Sequence, residues 1–365
     1  MIETLLQQLQ RAGNPLIDGD RATFVWHGDG DPPVLIGDFT GWAASPLALD
    51  SREPGVYAVE VTLPRDAYVE YCFIRHFRES THDTDINERA PDPYNPRVIW
   101  NGVKGINHYA TMPDFVFSSL TMRGAGVARG KISEHDLFGG HTLGNTHRKV
   151  FLYHPPVDAP VPLVIVWDGT DYLERASLNI IVDNLIAQGR IRPIALALIE
   201  NAGGGRFAEY AMNEATATYA RRILLPCAKK HLRLLDEDAQ PGCHGVLGAS
   251  MGGLMALYTG LRAPDIFGQV VSQSGAFFID PDRETMLIDD LIRLAPLAPL
   301  KIWQDTGTLE WLLDGNRTMH TLLTERGYDV RYHEFAGGHN YTMWSQTVGR
   351  ALESVYGVGD AAVTP

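Results

Sequence analysis

The residues with the clearest catalytic pattern are 248–252, which read Gly-Ala-Ser-Met-Gly. An apolar run over 243–247 predicts a short strand before them, and apolar residues at helical spacing follow over 254–261. In a nucleophile elbow, a serine occupies a strained strand-to-helix turn, and the flanking glycines allow close packing while the hydroxyl is exposed above the sheet. This arrangement predicts that Ser250 is a nucleophile.

A free serine hydroxyl is a weak nucleophile, so a general base must accompany it. In α/β-hydrolases the acid and then the histidine follow the serine along the chain. Of the 13 histidines, His320, His333 and His339 lie well downstream of Ser250. His320 falls in a predicted helix and His333 inside a predicted strand at 330–335. His339 follows that strand after two glycines, which would let a loop swing the imidazole over the sheet edge, so we predict His339 as the base.

The carboxylate that orients the histidine is expected after the strand predicted at 300–303. Asp305, Glu310 and Asp314 all follow that strand. Either type of carboxylate can hold an imidazole tautomer and stabilise the imidazolium ion. The residue types and positions alone therefore leave three candidates for the acid.

The elements that would carry these side chains alternate between strands and helices. The predicted strands are 149–153, 163–167, 193–199, 244–247, 269–272 and 300–303. Near-continuous apolar strands separated by helices are typical of a mostly parallel sheet with helices on both faces. We therefore predict an α/β catalytic domain over 121–365.

The first part of the chain has a different pattern. Short strand-like runs at 22–26, 34–36, 56–61 and 68–73 are separated by Gly, Pro and Asp clusters. Their spacing predicts a small all-β sandwich of the immunoglobulin-like type over 1–120. A Gly-containing stretch at 111–130 is the expected linker.

Several segments of the second domain resemble one family. The matching segments are 248–257, 267–275, 167–169, 172–175, 338–341, and the residues Arg206, Glu209, Asn213 and Trp344. They are similar to the esterase-D-like branch of the α/β-hydrolases, in particular enterochelin (enterobactin) esterases. Residues 37–42, Gly-Asp-Phe-Thr-Gly-Trp, resemble the early-set immunoglobulin-like domains attached to glycogen-branching enzymes and some esterases. We expect the Phe and Trp of that motif to pack in the core, with sugar binding as the alternative.

The resemblance also implies roles for individual residues. The family carries its acid in a Gly-x-x-Glu segment, which here reads Gly-Thr-Leu-Glu at 307–310 and favours Glu310 over Asp314 and Asp305. The oxyanion hole is expected from the backbone amide of Met251, after the nucleophile, and by similarity from that of Thr170.

Two further residues are linked to the resemblance. Arg206 is expected either to bind substrate or, as the favoured alternative, to form an ion pair with Glu209. Relatives commonly have Asp after the histidine, where this chain has Asn340.

Composition limits the partners. The 365 residues carry a formal charge of −13, which disfavours nucleic acid and anionic membrane surfaces. The triple glycine at 203–205 lacks the Lys-Ser/Thr of a phosphate loop, and no zinc-ligand spacing is present, so no cofactor or metal is predicted.

Localisation is predicted from three features. The three cysteines are far apart, the first residues lack a signal-peptide pattern, and no apolar run approaches the ~20 residues of a membrane span. These features predict a cytoplasmic protein, and they do not set its oligomeric state.

Together these features predict a serine carboxylic ester hydrolase that acts through an acyl-enzyme. The resemblance implies a small-molecule ester substrate, the trilactone of a catecholate siderophore, including its ferric complex. One alternative is a feruloyl or acetyl esterase acting on carbohydrate esters. A second is a non-catalytic carbohydrate-binding protein with a vestigial hydrolase domain.

Overall fold

The computed structural model describes residues 4–77, 89–102, 105–144, 146–278 and 286–358. The chain forms two compact units, and neither is continuous in sequence. The first unit contains Met1–Val116, Gly307–Trp311 and Phe335–Met343. The second contains Phe117–Thr306, Leu312–Glu334 and Trp344–Pro365. The domain division at residue 120 stays a prediction, and two short segments from late in the chain belong to the first unit.

The first unit is built from antiparallel sheets after one short helix. Its elements are α1 (Leu5–Ala12), β1 (Leu16–Asp18), β2 (Arg21–His27), β3 (Val34–Gly37), β4 (Asp50–Glu53), β5 (Val56–Thr62), β6 (Tyr68–Ile74), β7 (Arg89–Ala90), β8 (Val98–Trp100) and β9 (Ile106–Thr111). One sheet has the order β1-β2-β5-β4, and the other has the order β3-β6-β9-β8 with β7 paired to β6. The four predicted strands are therefore confirmed as β2, β3, β5 and β6.

The two sheets share one apolar core. Phe24 of β2, Leu35 of β3 and Phe73 of β6 are fully buried in the same cluster. Phe39 of the 37–42 motif packs on Phe24 with ring centroids 5.1 Å apart, and Trp42 packs on the cluster around Ile36 of β3. Both aromatic side chains of the motif are thus half-buried against these clusters. Core packing rather than sugar binding stays a prediction for them, as does the immunoglobulin-like classification.

The second unit contains most of an eight-stranded sheet. The strands are β10 (Lys131–Phe138), β11 (His147–His154), β12 (Leu163–Val166), β13 (Ala195–Ile199), β14 (His244–Ala249), β15 (Phe267–Gln273), β16 (Lys301–Gly307) and β17 (Asp329–Phe335). Their order is β10-β11-β13-β12-β14-β15-β16-β17. The pairs from β13 to β16 are parallel, whereas β10 and β11 add an antiparallel edge. Six predicted strands are confirmed as β11 to β16, and the strand predicted at 330–335 is confirmed as β17.

Helices cover both faces of this sheet. They are α2 (Gly169–Glu174), α3 (Leu178–Ala187), α4 (Arg206–Tyr210), α5 (Glu214–Tyr219), α6 (Leu225–His231), α7 (Met251–Arg262), α8 (Leu287–Leu294), α9 (Leu313–Glu325) and α10 (Tyr341–Tyr356). Strands such as β12 are buried along their whole length, because both faces of a parallel sheet are covered. Within the described part of the chain, no helix has the length and apolar character needed to cross a bilayer.

Candidate active site

Ser250 lies between β14 and α7, at the strand-to-helix turn that the sequence predicts. Its backbone has φ 59° and ψ −125°, which is a strained conformation for a residue with a side chain. Hydrogen bonds hold it there, because its amide donates to the Gln273 carbonyl at 2.9 Å and its carbonyl accepts from Gly253 at 2.9 Å and Leu254 at 3.1 Å. Such strain, fixed by surrounding bonds, is the backbone signature of a nucleophile elbow.

Met251 and Thr170 both lie in the first turn of a helix. Met251 begins α7 and Thr170 is the second residue of α2. First-turn amides have no acceptor within their own helix and attract negative charge. The preceding strands, β14 and β12, are parallel neighbours, and a Cβ at Gly252 would lie 3.0 Å from the Asp168 carboxylate. The two helix starts are therefore adjacent, as an oxyanion hole made of two amides requires.

Asp168 fixes the second of these turns. It precedes α2 with a φ of 55°, and its side chain is 1% exposed. Its carboxylate accepts a two-pronged ion pair from Arg206, with N–O distances of 2.7 and 2.6 Å, and a hydrogen bond from Asn201 at 2.9 Å. Burial raises the pKa of Asp168, while Arg206 opposes that shift. The guanidinium therefore stabilises a buried charge next to Thr170.

This arrangement corrects the expected partner of Arg206. Sequence proximity favoured an ion pair with Glu209, but that was wrong, because Glu209 instead accepts from Arg148 at 2.5 Å. Arg206 also lies over the ring of Tyr210, 5.3 Å from its centroid. The structural role of Asp168 was missed, since the contact between residues 168 and 206 is not visible as a local sequence pattern.

His339 and Glu310 meet within the first unit. Nδ1 of His339 forms a short hydrogen bond with Oε2 of Glu310, whose side chain is fully buried. The other oxygen, Oε1, accepts from the Gly307 amide at 2.6 Å. An ionised carboxylate only accepts, so Nδ1 carries the proton and Nε2 is left as a proton acceptor. The ring of Trp311 packs on His339 with centroids 4.7 Å apart.

The two alternative acids have other surroundings. Asp305 is fully buried and accepts from Trp303 Nε1 at 3.0 Å and Gln273 Nε2 at 3.2 Å. Asp314 lies in α9 with its side chain 93% exposed and faces Arg317 at 3.9 Å. The contact between Glu310 and His339 thus supports Glu310 among the three carboxylates that the sequence left open.

The structure therefore groups the predicted residues in two sets. Ser250, Met251, Thr170 and Arg206 lie in the second unit, and Glu310 and His339 lie together in the first. Their assignment to one catalytic site stays a prediction. In the described ranges, no three His, Cys, Asp or Glu side chains are grouped so that they could hold a metal ion.

Three of the likenesses to known proteins bear on function. An iron(III) enterobactin esterase of Dickeya dadantii is 32% identical over 395 aligned positions, covering 94% of this chain and 90% of that protein. The crystal structure of the enterobactin esterase from Shigella flexneri in the presence of enterobactin has a TM-score of 0.76 at 20% identity, covering 97% of this chain and 98% of that one. A ferulic acid esterase from Anaeromyces mucronatus, in complex with ferulic acid, has a TM-score of 0.54 at 19% identity, covering 66% of this chain and 96% of that one.

The structural likenesses confirm the predicted α/β-hydrolase fold. The model of the Esterase family matches residues 141–354, a range that includes the serine turn, the acid and the histidine. The full-length likeness in sequence extends the relationship through the N-terminal unit. The chain therefore belongs to the esterase family and is a carboxylic ester hydrolase.

Proposed function

We propose that this esterase opens the trilactone of catecholate siderophores of the enterobactin type, with or without bound iron(III). The observation that supports this choice of substrate is the likeness to an iron(III) enterobactin esterase over 94% of this chain. It spans both units, whereas the likeness to the ferulic acid esterase covers 66% of the chain. A substrate class shared with full-length relatives is therefore the better supported choice.

The proposed reaction proceeds through an acyl-enzyme. The Ser250 oxygen adds to an ester carbonyl carbon while Nε2 of His339 takes its proton. Glu310 accepts the Nδ1 proton in a hydrogen bond and stabilises the imidazolium ion that forms. Collapse of the tetrahedral intermediate breaks the C–O bond of the ester, and the departing alkoxide takes the proton from His339.

The second half of the reaction uses the same groups. Water gives a proton to His339 and adds to the acyl carbon, and the Ser250 oxygen then leaves with that proton. In both halves the amides of Met251 and Thr170 donate to the developing oxyanion. A single amide donor of this kind contributes roughly 10²–10³ in turnover. The products of the first cycle on a trilactone are one new carboxylate and one new hydroxyl, so the ring becomes a linear chain.

The test is chromatography of products after incubation with enterobactin and with its ferric complex. The parent protein should release dihydroxybenzoylserine, and Ser250→Ala should release none. Glu310→Gln should release far less product than the parent. Asp314→Asn is its matched control, because the Asp314 side chain is 93% exposed. If the parent cleaves neither enterobactin nor its ferric complex but still cleaves p-nitrophenyl acetate, the proposed substrate is wrong. The reaction class, ester hydrolysis, would then still hold.

Feruloyl and acetyl esters of sugars are the second candidate, favoured by the structural likeness to a ferulic acid esterase. Methyl ferulate and acetylated xylose belong in the same assay. If kcat/KM is higher for methyl ferulate or acetylated xylose than for enterobactin, that sugar-ester class becomes the proposed substrate instead of the siderophore.

A cytoplasmic location also belongs to the proposal. The three cysteines are free thiols, and Cys72 and Cys243 are buried. Free thiols fit a reducing compartment. Fractionation of the source cells with an antibody to this chain tests the location, and recovery outside the cytoplasm would contradict it.

A further inference from the structure

The 37–42 turn of the first unit brings Asp38 to the loop that carries His339. Asp38 is 3% exposed and follows β3. Its Oδ2 accepts from the Glu70 amide at 2.8 Å and from Asn340 Nδ2 at 3.4 Å. Its Oδ1 accepts from the Trp42 indole at 3.2 Å. All three partners donate, so the carboxylate acts here as an acceptor for groups on strand β6, on the 37–42 turn and on the histidine loop.

Asp38 touches the residues on both sides of His339. Asn340 follows the histidine and donates to Asp38, as above. Gly338 precedes it, and a Cβ atom at that position would lie 2.0 Å from Asp38 Cγ. The backbone on one side of the imidazole is thus packed against the carboxylate, and the residue on the other side is hydrogen-bonded to it.

Asn340 connects this contact to α10. Its Oδ1 accepts from the Met343 amide at 2.9 Å, which is the bond of a helix N-cap. Asn340 therefore uses its oxygen to start α10 and its nitrogen to reach Asp38. The residue after His339 is consequently held at two points, on a helix and on the N-terminal sheets.

The loop before His339 is also bonded to the same sheets. The Tyr68 amide of β6 donates to the Ala336 carbonyl at 3.1 Å, and the Leu309 amide donates to the Gly337 carbonyl at 3.0 Å. The segment that leads to the histidine thus lies between β6 and the segment that carries Glu310. Asp38 completes this support at the two residues that flank His339.

We propose that Asp38 is a positioning residue for the esterase reaction, which holds residues 338 and 340 so that His339 stays on Glu310 with Nε2 presented for proton transfer. This role rests on the proposed function of His339 as the general base. It also gives the N-terminal sheets a part in catalysis, as a support for the base. Burial, and then the charge of Glu70, raise the pKa of Asp38 well above its ordinary value, with a smaller contribution from Glu310.

Two substitutions at Asp38 should give graded effects. Asp38→Ala removes every acceptor, and a displacement of a catalytic group by about 1 Å can cost ~10² in rate, so kcat should fall about 10²-fold with KM within about threefold. Asp38→Asn keeps one acceptor oxygen for Glu70 and Asn340 but turns a donor toward Trp42. It should lose roughly tenfold, intermediate between Asp38→Ala and the parent.

The matched control is Asp92→Asn. Asp92 is also a buried carboxylate of the first unit, 4% exposed, and accepts from Asn14, Tyr71 and the Tyr94 amide. Its substitution should lower the unfolding temperature by a similar amount and leave kcat within about twofold. A purely structural role for Asp38 would make the two Asn variants alike.

A direct readout is the downfield proton resonance of the His339–Glu310 hydrogen bond in NMR spectra. The parent should show it, Asp92→Asn should keep it, and Asp38→Ala should broaden or shift it. If Asp38→Ala does not fold, Asn340→Ser provides the same test, because serine retains the helix cap but cannot reach Asp38.

The outcomes separate this inference from the proposed function. A folded Asp38→Ala protein with kcat within threefold of the parent and an unchanged resonance would overturn the positioning role. A parent protein that lacks the resonance and does not react with a fluorophosphonate at Ser250 would instead overturn the triad. Absence of siderophore cleavage alone would contradict only the proposed substrate. It would not contradict the triad or the positioning role of Asp38.

Discussion

Replacing Glu310 with glutamine changes one acceptor oxygen into a donor at the histidine and should remove most of the catalysis. In the parent, Oε1 accepts from the Gly307 amide at 2.6 Å and Oε2 bonds to His339 Nδ1. The glutamine oxygen must stay on the Gly307 amide, because that amide can only donate. The new NH₂ group then faces Nδ1, so the imidazole must take the tautomer with its proton on Nε2. That tautomer cannot accept the proton of Ser250.

The magnitude follows from the equivalent change in a serine protease, where asparagine for the triad aspartate leaves the geometry intact and lowers kcat about 10⁴-fold. Four decades at 1.36 kcal/mol each correspond to a loss of about 5 kcal/mol of transition-state stabilisation. Glu310 faces the imidazole and has no need to touch the substrate, so KM should change little while kcat and kcat/KM fall together.

The assay is steady-state hydrolysis of p-nitrophenyl acetate, with fluorophosphonate labelling of Ser250 as a second rate. Thermal unfolding checks that Glu310→Gln remains folded. Asp314→Asn should match the parent within about twofold, since its side chain is 93% exposed, and Asp305→Asn tests the remaining alternative. A folded Glu310→Gln protein with kcat within tenfold of the parent, or a larger loss of kcat in Asp305→Asn, would refute the reasoning.

Three other perturbations test the second unit. Gly169→Ala should lower kcat roughly 10²–10³-fold. Its Cβ would lie 2.3 Å from the backbone of the neighbouring strand β13 and would displace the Thr170 amide. A folded variant with the kcat of the parent would contradict this. Arg206→Met should cost about 3–5 kcal/mol in the free energy of unfolding, measured in urea, since it leaves the buried Asp168 charge without its cation; a change below 1 kcal/mol would argue against that pair. Burial lowers the pKa of His244 to about 4, so the unfolded state binds more protons than the folded state between pH 6.5 and 4. As the pH is lowered from 6.5 to 4, the free energy of unfolding should therefore fall by at most about 3 kcal/mol. His244→Asn should make this fall shallower, and an unchanged dependence on pH would contradict the prediction.

The sequence predicted the buried strands of the hydrolase sheet because each of them is apolar over most of its length. Leu163–Val166, for example, is buried at every position, which leaves a continuous apolar run. The edge strand Lys131–Phe138 was not predicted, since it is mainly exposed and carries no apolar alternation. The strand-to-helix turn at Ser250 could be predicted because its glycines, the strand before it and the helix after it all lie within one short stretch of sequence.

The acid could not be chosen from the residues alone. The three carboxylates lie within ten residues of sequence, Asp305 inside β16 and the other two after it, and what separates them is orientation in three dimensions. The fully buried Glu310 reaches His339, 29 positions later in the chain, while Asp314 points from an exposed helix position. The partner of Arg206 was mistaken in the same way, because the pair joins residues 38 positions apart.

The 37–42 motif shows why a correct local interpretation can still miss function. Its aromatic residues are half-buried against two apolar clusters, and that packing is the role which the local sequence indicates for the motif. The aspartate that precedes them, Asp38, makes a contact across 302 positions of sequence, with Asn340. The sequence around Asp38 and Asn340 does not mark this pairing. A carboxylate and an amide can form a hydrogen bond at any separation in sequence, so no motif or spacing predicts it. If Asp38 positions the histidine, then the N-terminal sheets are part of what makes the base effective.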